Sequence, residues 1–355
     1  MTSALALIET DALVIGAGPA GLFQAFYLGL LGIGCHIVDV LHEPGGQVAE
    51  LYGDKPIYDI PGLPGCTGNA LITGLREQLR PFNPPMHLGQ EVTDLSVHGE
   101  AAFDLRTSHN QHFHARSVLI AAGVGAFAPR RLKAPGLDAF ESTNQLLYGQ
   151  DPRVFECAGK AVVVAGGDAL AIDQVIALAD LPEDKRPAAI TLMHRRAVLQ
   201  ADAQRLAVFQ HLCTSGSAKL VVGQVSEVEV EQKRMRALVV TAPDDTRTHL
   251  PLDALVVALG LSPRLGPLAD WGLELTHKQV PVDTAHFMTR IPGIYAVGDI
   301  NLYPGKKRLI LSAFHEATLA AFAVAERLYP DRRTALQYTS SSSELQQRLG
   351  VGSTR

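Results

Sequence analysis

Gly16, Gly18 and Gly21 stand at the GxGxxG spacing. They directly follow the apolar run Ala12 to Ile15 and directly precede an apolar pattern with helical spacing from Leu22 to Leu31. A buried parallel strand, a tight turn and a helix in that order make a seat for a pyrophosphate. Gly16 permits the turn, Gly18 lets backbone approach the anion, and Gly21 lets helix pack on strand, with Pro19 and Ala20 completing the turn. The helix N-terminus offers unpaired N–H groups to the same anion. Asp39 ends the next apolar run, Ile37-Val38, at about the ~20-residue separation at which an acid accepts hydrogen bonds from a ribose. This first constellation is a dinucleotide site.

A second constellation repeats the logic with a different ending. The run Ala161 to Ala165 leads into Gly166, Gly167 and Asp168, then into a helical pattern from Ala169 to Leu178. The following strand, Ala189 to Met193, ends in His194-Arg195-Arg196. Where a site for NAD would place an acid against the ribose 2′-OH, Arg195 and Arg196 place two guanidinium groups, which suit a 2′-phosphate. The reading is NADP(H), and an acid in one unit against arginines in the other argues for two different dinucleotides in one chain.

The elements that must carry these sites are α/β. The chain has 355 residues, 47% hydrophobic and 19% charged, which describes a globular protein of two domains. A net charge of −5 gives no support for nucleic-acid binding through bulk electrostatics. No apolar stretch reaches the ~18 residues that span a bilayer, and no basic segment precedes the short run Ala4 to Ile8, so the expectation is a cytoplasmic protein. Cys35, Cys66, Cys157 and Cys213 form no CxxC pair. Between the two constellations, residues 41–62 are rich in Gly, Pro and aromatics and read as a loop that wraps a flat ligand. Segments 87–95, 101–107 and 111–114 alternate as a small antiparallel sheet leading into a separate apolar strand, 117–123, and Pro129 to Pro135 reads as a linker. His109, His112 and His114 alternate with Phe113 as on a solvated strand face, so no metal site is expected. A second alternating region, 219–239, precedes the apolar run 252–260. Pro292 to Val297 then gives a turn and a strand ending in Gly298-Asp299, and a helix with Ala313, Ala317, Ala320, Val324 and Leu328 on its apolar face follows. The serine-rich tail 337–343 is low in complexity, and composition alone reads it as disordered.

Taken together, Gly16 to Gly21, Gly45-Gly46-Gln47, the second glycine turn, His194-Arg195-Arg196 and Ile294 to Asp299 resemble the two-dinucleotide flavoproteins typified by thioredoxin reductase. The resemblance covers almost the whole chain. Members with dithiol chemistry carry CxxC before the second glycine turn, where this chain has only Cys157. Leu51-Tyr52-Gly53, Ile57-Tyr58-Asp59, the stretch Pro304 to Ser312 and Tyr338-Thr339-Ser340-Ser341 are instead similar to the thioredoxin-reductase-like ferredoxin–NADP reductases.

That resemblance implies two Rossmann-like domains. FAD would be bound by a discontinuous domain, 1–124 and 261–355, and NADP(H) by an inserted one, 125–260. It implies a homodimer that moves electrons between NADPH and ferredoxin or flavodoxin through FAD. Asp39 would hold the FAD ribose, Gln47 and Asp299 its sugar chain, and Tyr52 would stack on one flavin face. The helix beginning near Ser312 would aim its positive end at the flavin. Tyr338 would lie on the other face, across the dimer, with Thr339 near N5. Two differences bear on the NADP(H) half: Leu170 stands where helix and strand approach closely, after Ala165, and Gln200 stands where an arginine is usual. An acidic ferredoxin must find a local basic surface, for which the candidates are Arg130, Arg131 and Lys133; Lys306, Lys307 and Arg308; and Arg332 with Arg333. The alternatives are a flavoprotein serving a quinone or a small dithiol protein, and an FAD-binding redox sensor with a degenerate NADPH site.

Overall fold

The computed structural model describes residues 7–99, 102–149, 151–332 and 336–351. It divides into two compact units, one of Met1–Ala126 with Pro263–Arg355 and one of Phe127–Ser262. Pro129 to Pro135, expected as a linker, therefore falls inside the second unit.

In the first unit five strands run parallel in the order Met86–His87, Cys35–Val38, Leu7–Ile15, His112–Ile120, Ile294–Ala296. Their apolar runs are buried on both faces, as parallel strands covered by helices must be. Leu13, Val14, Val118, Leu119 and Ile294 are fully inaccessible. The helices Pro19–Leu30, Gly68–Leu79 and Ile310–Leu328 pack on one face of this sheet through residues such as Leu22, Leu75 and Val324. The chain moves one way from Leu7–Ile15 to its next two strands and the other way to His112–Ile120. The glycine turn after Ile15 thus sits at a switch point, where a crevice opens at the strand ends.

Two expectations need correction. The alternating segment and the apolar strand that follows it are one strand, His112–Ile120. Its first half pairs antiparallel with Ala102–Thr107, which pairs with Val92–His98, and its second half pairs parallel with Ile294–Ala296. An alternating half and a continuously apolar half look like two elements in sequence because only the second is covered on both faces. The region read as a wrapping loop holds the helix Gly46–Tyr52. Its start is marked by Gly45 and Gly46, both at positive φ (+139° and +55°).

The second unit repeats the plan. Five parallel strands run in the order Lys219–Val222, Ala189–His194, Ala161–Ala165, Ala254–Val257, Leu146–Tyr148. Again the strand before the glycines lies at the switch point. An antiparallel trio, Gln224–Glu231, Arg234–Thr241 and Arg247–Pro251, is inserted at the same place in the order as its counterpart in the first unit. No helix among the described residues is long and apolar enough to cross a membrane.

Candidate dinucleotide sites

The first site is built where three helices begin. Gly16 adopts φ +111°, and a Cβ there would lie 2.4 Å from the Ala121 carbonyl oxygen. At Gly21 a Cβ would lie 1.8 Å from the Gly16 carbonyl oxygen, so this glycine sets the closeness of helix and strand. Gly18, the residue preceding the helix, is different: a Cβ there would meet no protein atom nearer than Gly46 Cα at 3.9 Å. The space in front of Gly18 is open. Pro19 occupies the first helical position, where its missing N–H costs nothing, and Ala20 is buried behind it.

Asp39 is 8% exposed and ties this turn together. Its carboxylate accepts from the Ala17 N–H and, at 2.8 Å, from the Leu41 N–H. Burial pushes its pKa up, and these two N–H groups pull it back down. The Gly45 N–H donates to the Ala17 carbonyl at 2.9 Å, which brings the helix Gly46–Tyr52, with half-buried Gln47 at its second position, against the glycine turn. Gly298 (φ +81°) closes the third side: its Cβ would lie 3.1 Å from the Ala20 Cβ and 3.9 Å from the Ala313 Cβ. Asp299 follows at once. Burial raises its pKa, and Lys306 and then Arg308 lower it. Tyr52 belongs to the same cluster, because its hydroxyl, pushed up first by burial, also feels the charges of Asp299 and Asp59.

The caps distinguish this place from the rest of the molecule. The helices starting at Gly68, Ala169, Ala203 and Ser343 are each capped by a side chain, from Thr67, Asp168, Asp202 and Ser342. Those starting at Pro19, Gly46 and Ile310 have no side-chain cap and no acidic residue in the first turn. Orphan N–H groups need partners. Among the described residues, the starts of all three uncapped α-helices gather around Gly18, Gly46 and Gly298, which fits a bound pyrophosphate and flavin. FAD is the group these residues suit.

The second site lies in the other unit. Gly166 is closed in: its Cβ would lie 2.3 Å from the Ala258 carbonyl oxygen and 2.5 Å from the Ala171 Cβ. The close helix–strand approach is therefore made by Ala171, and Leu170 lies half-buried beside the core, which removes the conflict expected at Leu170. A Cβ on Gly167 would strike the His194 ring at 2.3 Å. The Gln200 N–H donates to the Gly167 carbonyl at 2.7 Å, so the residue expected as arginine pins the turn through its backbone. Arg195 and Arg196 are exposed at the strand end. They belong to the same locale as His194, whose pKa is lowered by burial, then by Arg196 and Arg195, and raised by Asp168. Because Asp168 already caps the helix, the extra anion capacity here must come from the guanidinium groups, which suits NADP(H).

Tyr338 and Thr339 are not brought to the first glycine turn of their own chain. Residues 336–351 fold back: Ser342 caps the short helix Ser343–Arg348, Leu345 is buried, and Arg348 donates to the Leu30 carbonyl. Thr339 shares a cleft with Tyr27, Leu30, Phe322 and Tyr329, at the C-terminal ends of Pro19–Leu30 and Ile310–Leu328. At 1.5 Å per residue that is roughly 15 Å along the helix from Gly18. Tyr338 itself is 66% exposed. The tail is ordered, against its low-complexity composition.

The basic clusters change most. Lys306 is no surface lysine: its side chain is 5% exposed and paired with Glu316, itself 1% exposed. Arg308 donates to Gln279, Arg131 pairs with Glu141, and Arg332 pairs with Glu344, while Arg333 lies outside the described residues. Lys307 and Lys133 are exposed. The buried Glu316–Lys306 pair beside this site is the feature least evident in the sequence. Its signal was a glutamate between Ala313 and Ala317 on an otherwise apolar helical stripe. The histidine-rich strand face gathers around one acid, Asp104, with His114 at 2.7 Å, His98 at 3.0 Å and His112 at 3.9 Å.

All four cysteines are free thiols. Burial raises the pKa values of Cys157 and Cys213 and pushes that of Cys35 up to about 12, so none of these three is an activated nucleophile.

A profile of the pyridine nucleotide-disulphide oxidoreductase family matches residues 10–322. The chain is 51% identical over 352 residues to a protein of Paracidovorax citrulli named ferredoxin--NADP reductase, covering 97% of each. A protein of the same name from Methylibium petroleiphilum is 48% identical over 344 residues, covering 97% of this chain and 93% of that one. Among solved structures, thioredoxin reductase of Lactococcus lactis matches 91% of this chain and 100% of its own with a TM-score of 0.57 at 22% identity. A bacillithiol disulfide reductase of Staphylococcus aureus matches 92% and 100% with a TM-score of 0.61 at 16% identity. At these identities the two structures speak for the fold.

Proposed function

The chain belongs to the pyridine nucleotide-disulphide oxidoreductase family and, within it, to the thioredoxin-reductase-like ferredoxin–NADP reductases; on that premise we propose that it is a ferredoxin–NADP(+) reductase. It carries electrons between NADPH and ferredoxin, or flavodoxin, through FAD. The observation that carries this is the pairing of two unlike dinucleotide seats, an acid at one and arginines at the other, with no thiol pair between them. Bound FAD would exchange a hydride with the nicotinamide and single electrons with an iron–sulfur or flavin carrier.

The chain's own work is binding and positioning. Gly16, Gly18, Pro19, Ala20 and Gly21 would hold the FAD pyrophosphate, Asp39 the ribose, Gln47 and Asp299 the sugar chain, and Tyr52 one flavin face. The uncapped start of Ile310–Leu328 would place a positive dipole end at the flavin. Gly166, Gly167 and Asp168 would hold the NADP(H) pyrophosphate, with Arg195 and Arg196 on the 2′-phosphate. The unit Met1–Ala126 with Pro263–Arg355 would thus be the FAD domain and Phe127–Ser262 the NADP(H) domain.

The finer reading is a cytoplasmic homodimer. Within one chain Thr339 lies roughly 15 Å from the glycine turn, which favours Tyr338 and Thr339 serving the flavin of a second copy. There Tyr338 would lie on the open flavin face as a lid that must move before hydride transfer. Turnover with purified ferredoxin, a quinone and a small dithiol substrate at equal NADPH tests the assignment. Ferredoxin is expected to be the fastest acceptor; a quinone or dithiol substrate that outpaces it would overturn the reading.

A further inference from the structure

The turn at Gly298 is held at both of its polar groups by one buried ion pair. The Gly298 N–H donates to Glu316 Oε2 at 2.7 Å, and its carbonyl accepts from Lys306 Nζ at 2.9 Å. Lys306 Nζ also donates to Glu316 Oε1 at 2.5 Å. Two further donors complete the carboxylate: Asn301 Nδ2 to Oε2 and the Tyr303 hydroxyl to Oε1, each at 2.9 Å. The Lys306 ammonium lies 5.4 Å from the Tyr303 ring centroid.

Amide and hydroxyl side chains could hold the same peptide groups without burying two full charges, which is costly unless the charges stay paired. The position of the pair indicates what the charges do. Gly298 sits against Ala20 of the first helix and Ala313 of the last, and Asp299 follows it directly. Lys306 is the leading charge that favours the ionised form of Asp299, and Glu316 opposes it.

We propose that Glu316 and Lys306 are positioning residues for the flavin. Their pair fixes the Gly298 turn that presents Asp299, and its zero net charge sets the reduction potential at the cofactor seat. The inference rests on the first unit being the FAD site. Reduction places negative charge on the flavin, so an unbalanced positive neighbour favours the reduced form and an unbalanced negative one disfavours it.

The test is the midpoint potential of bound FAD, measured spectroelectrochemically with flavin content, for the wild type, Glu316→Gln, Lys306→Met and the double variant. Glu316→Gln leaves the ammonium unbalanced, and the potential is expected to rise. Lys306→Met leaves the carboxylate unbalanced, and the potential is expected to fall. The double variant restores neutrality and is expected to return to the wild-type potential. Single variants shifting in the same direction, or none shifting while flavin stays bound, would overturn the inference. If both single variants lose flavin, the double variant decides: full flavin at the wild-type potential supports charge balance, and loss of flavin overturns it. A wild type without bound flavin would overturn the functional reading itself, and this inference with it.

Discussion

Gly18 and Gly21 are two glycines of one turn, yet they answer to different constraints. A side chain on Gly21 collides with the Gly16 carbonyl, so Gly21→Ala should cost about 3 kcal/mol of stability, as overpacking against unyielding backbone does. Thermal unfolding of the flavin-free protein would register the loss; an unchanged midpoint would mean that helix and strand do not need this closeness. A side chain on Gly18 meets open space, so Gly18→Val should leave the flavin-free fold intact and abolish FAD binding. A well-folded Gly18→Val protein with full flavin would place the pyrophosphate elsewhere. At the other site Arg195 and Arg196 would set the preference for NADPH. Loss of one charge-assisted contact is worth ~1.5–3 kcal/mol, so Arg195→Ala should lower the ratio of NADPH to NADH efficiency roughly tenfold to a hundredfold. The lower end is expected, because an exposed guanidinium works partly against water. An unchanged ratio would remove Arg195 from the site.

The elements were legible wherever one pattern ruled a whole segment. Both glycine turns, their flanking strands and their helices could be read because apolar runs, glycines and helical spacing follow one another without interruption. The nine-residue strand His112–Ile120 could not, because its two halves have different neighbours and so different patterns. Lys306 could not either: in sequence it is one of three adjacent cations, and only the fold turns it inward to Glu316. The strand pair Cys35–Val38 and Met86–His87 carries a pH-dependent element of its own. His36 Nδ1 and His87 Nε2 are 2.9 Å apart in stacked rings, an arrangement that needs one nitrogen bare. Burial lowers both pKa values, and the nearby His87 lowers that of His36 further. The unfolded chain, with pKa near its ordinary ~6.5, then takes up protons at a higher pH than the folded one does. Stability is therefore full at neutral pH and is lost as pH falls below ~6.5 towards the lowered folded values. Since the His87 carbonyl accepts from the Asp39 N–H at 3.1 Å, flavin retention should weaken over the same window. His36→Gln with His87→Gln should flatten the slope in a pH series of unfolding midpoints, and an undiminished slope would assign it to other groups.

At the scale of the whole molecule, a chain with net charge −5 must meet an acidic carrier through a local surface. Lys133 in the second unit and Lys307 in the first are each exposed, while the Lys306 side chain is buried, so fewer cations are available for docking than the sequence suggests. Reduction of ferredoxin should still slow with added salt, because steering between exposed charges is screened over ~10 Å at 0.1 M. Kinetics indifferent to salt would point to an uncharged acceptor. On the homodimer reading the tail would act at the same scale: Tyr338→Ala should shift the flavin absorption spectrum and change the rate of reduction by NADPH while leaving flavin content intact. A wild-type spectrum with wild-type kinetics would return Tyr338 to the solvent.

The central claim is that one chain joins an NADPH seat to an FAD seat on behalf of a one-electron carrier. An anaerobic titration of the purified protein with NADPH, followed by addition of oxidised ferredoxin, tests it most directly. The account predicts that the flavin absorbance bleaches with NADPH at lower concentrations than with NADH, and that it returns when ferredoxin is added. A flavin that stays oxidised under NADPH, or one that bleaches and is not reoxidised by ferredoxin, would contradict it.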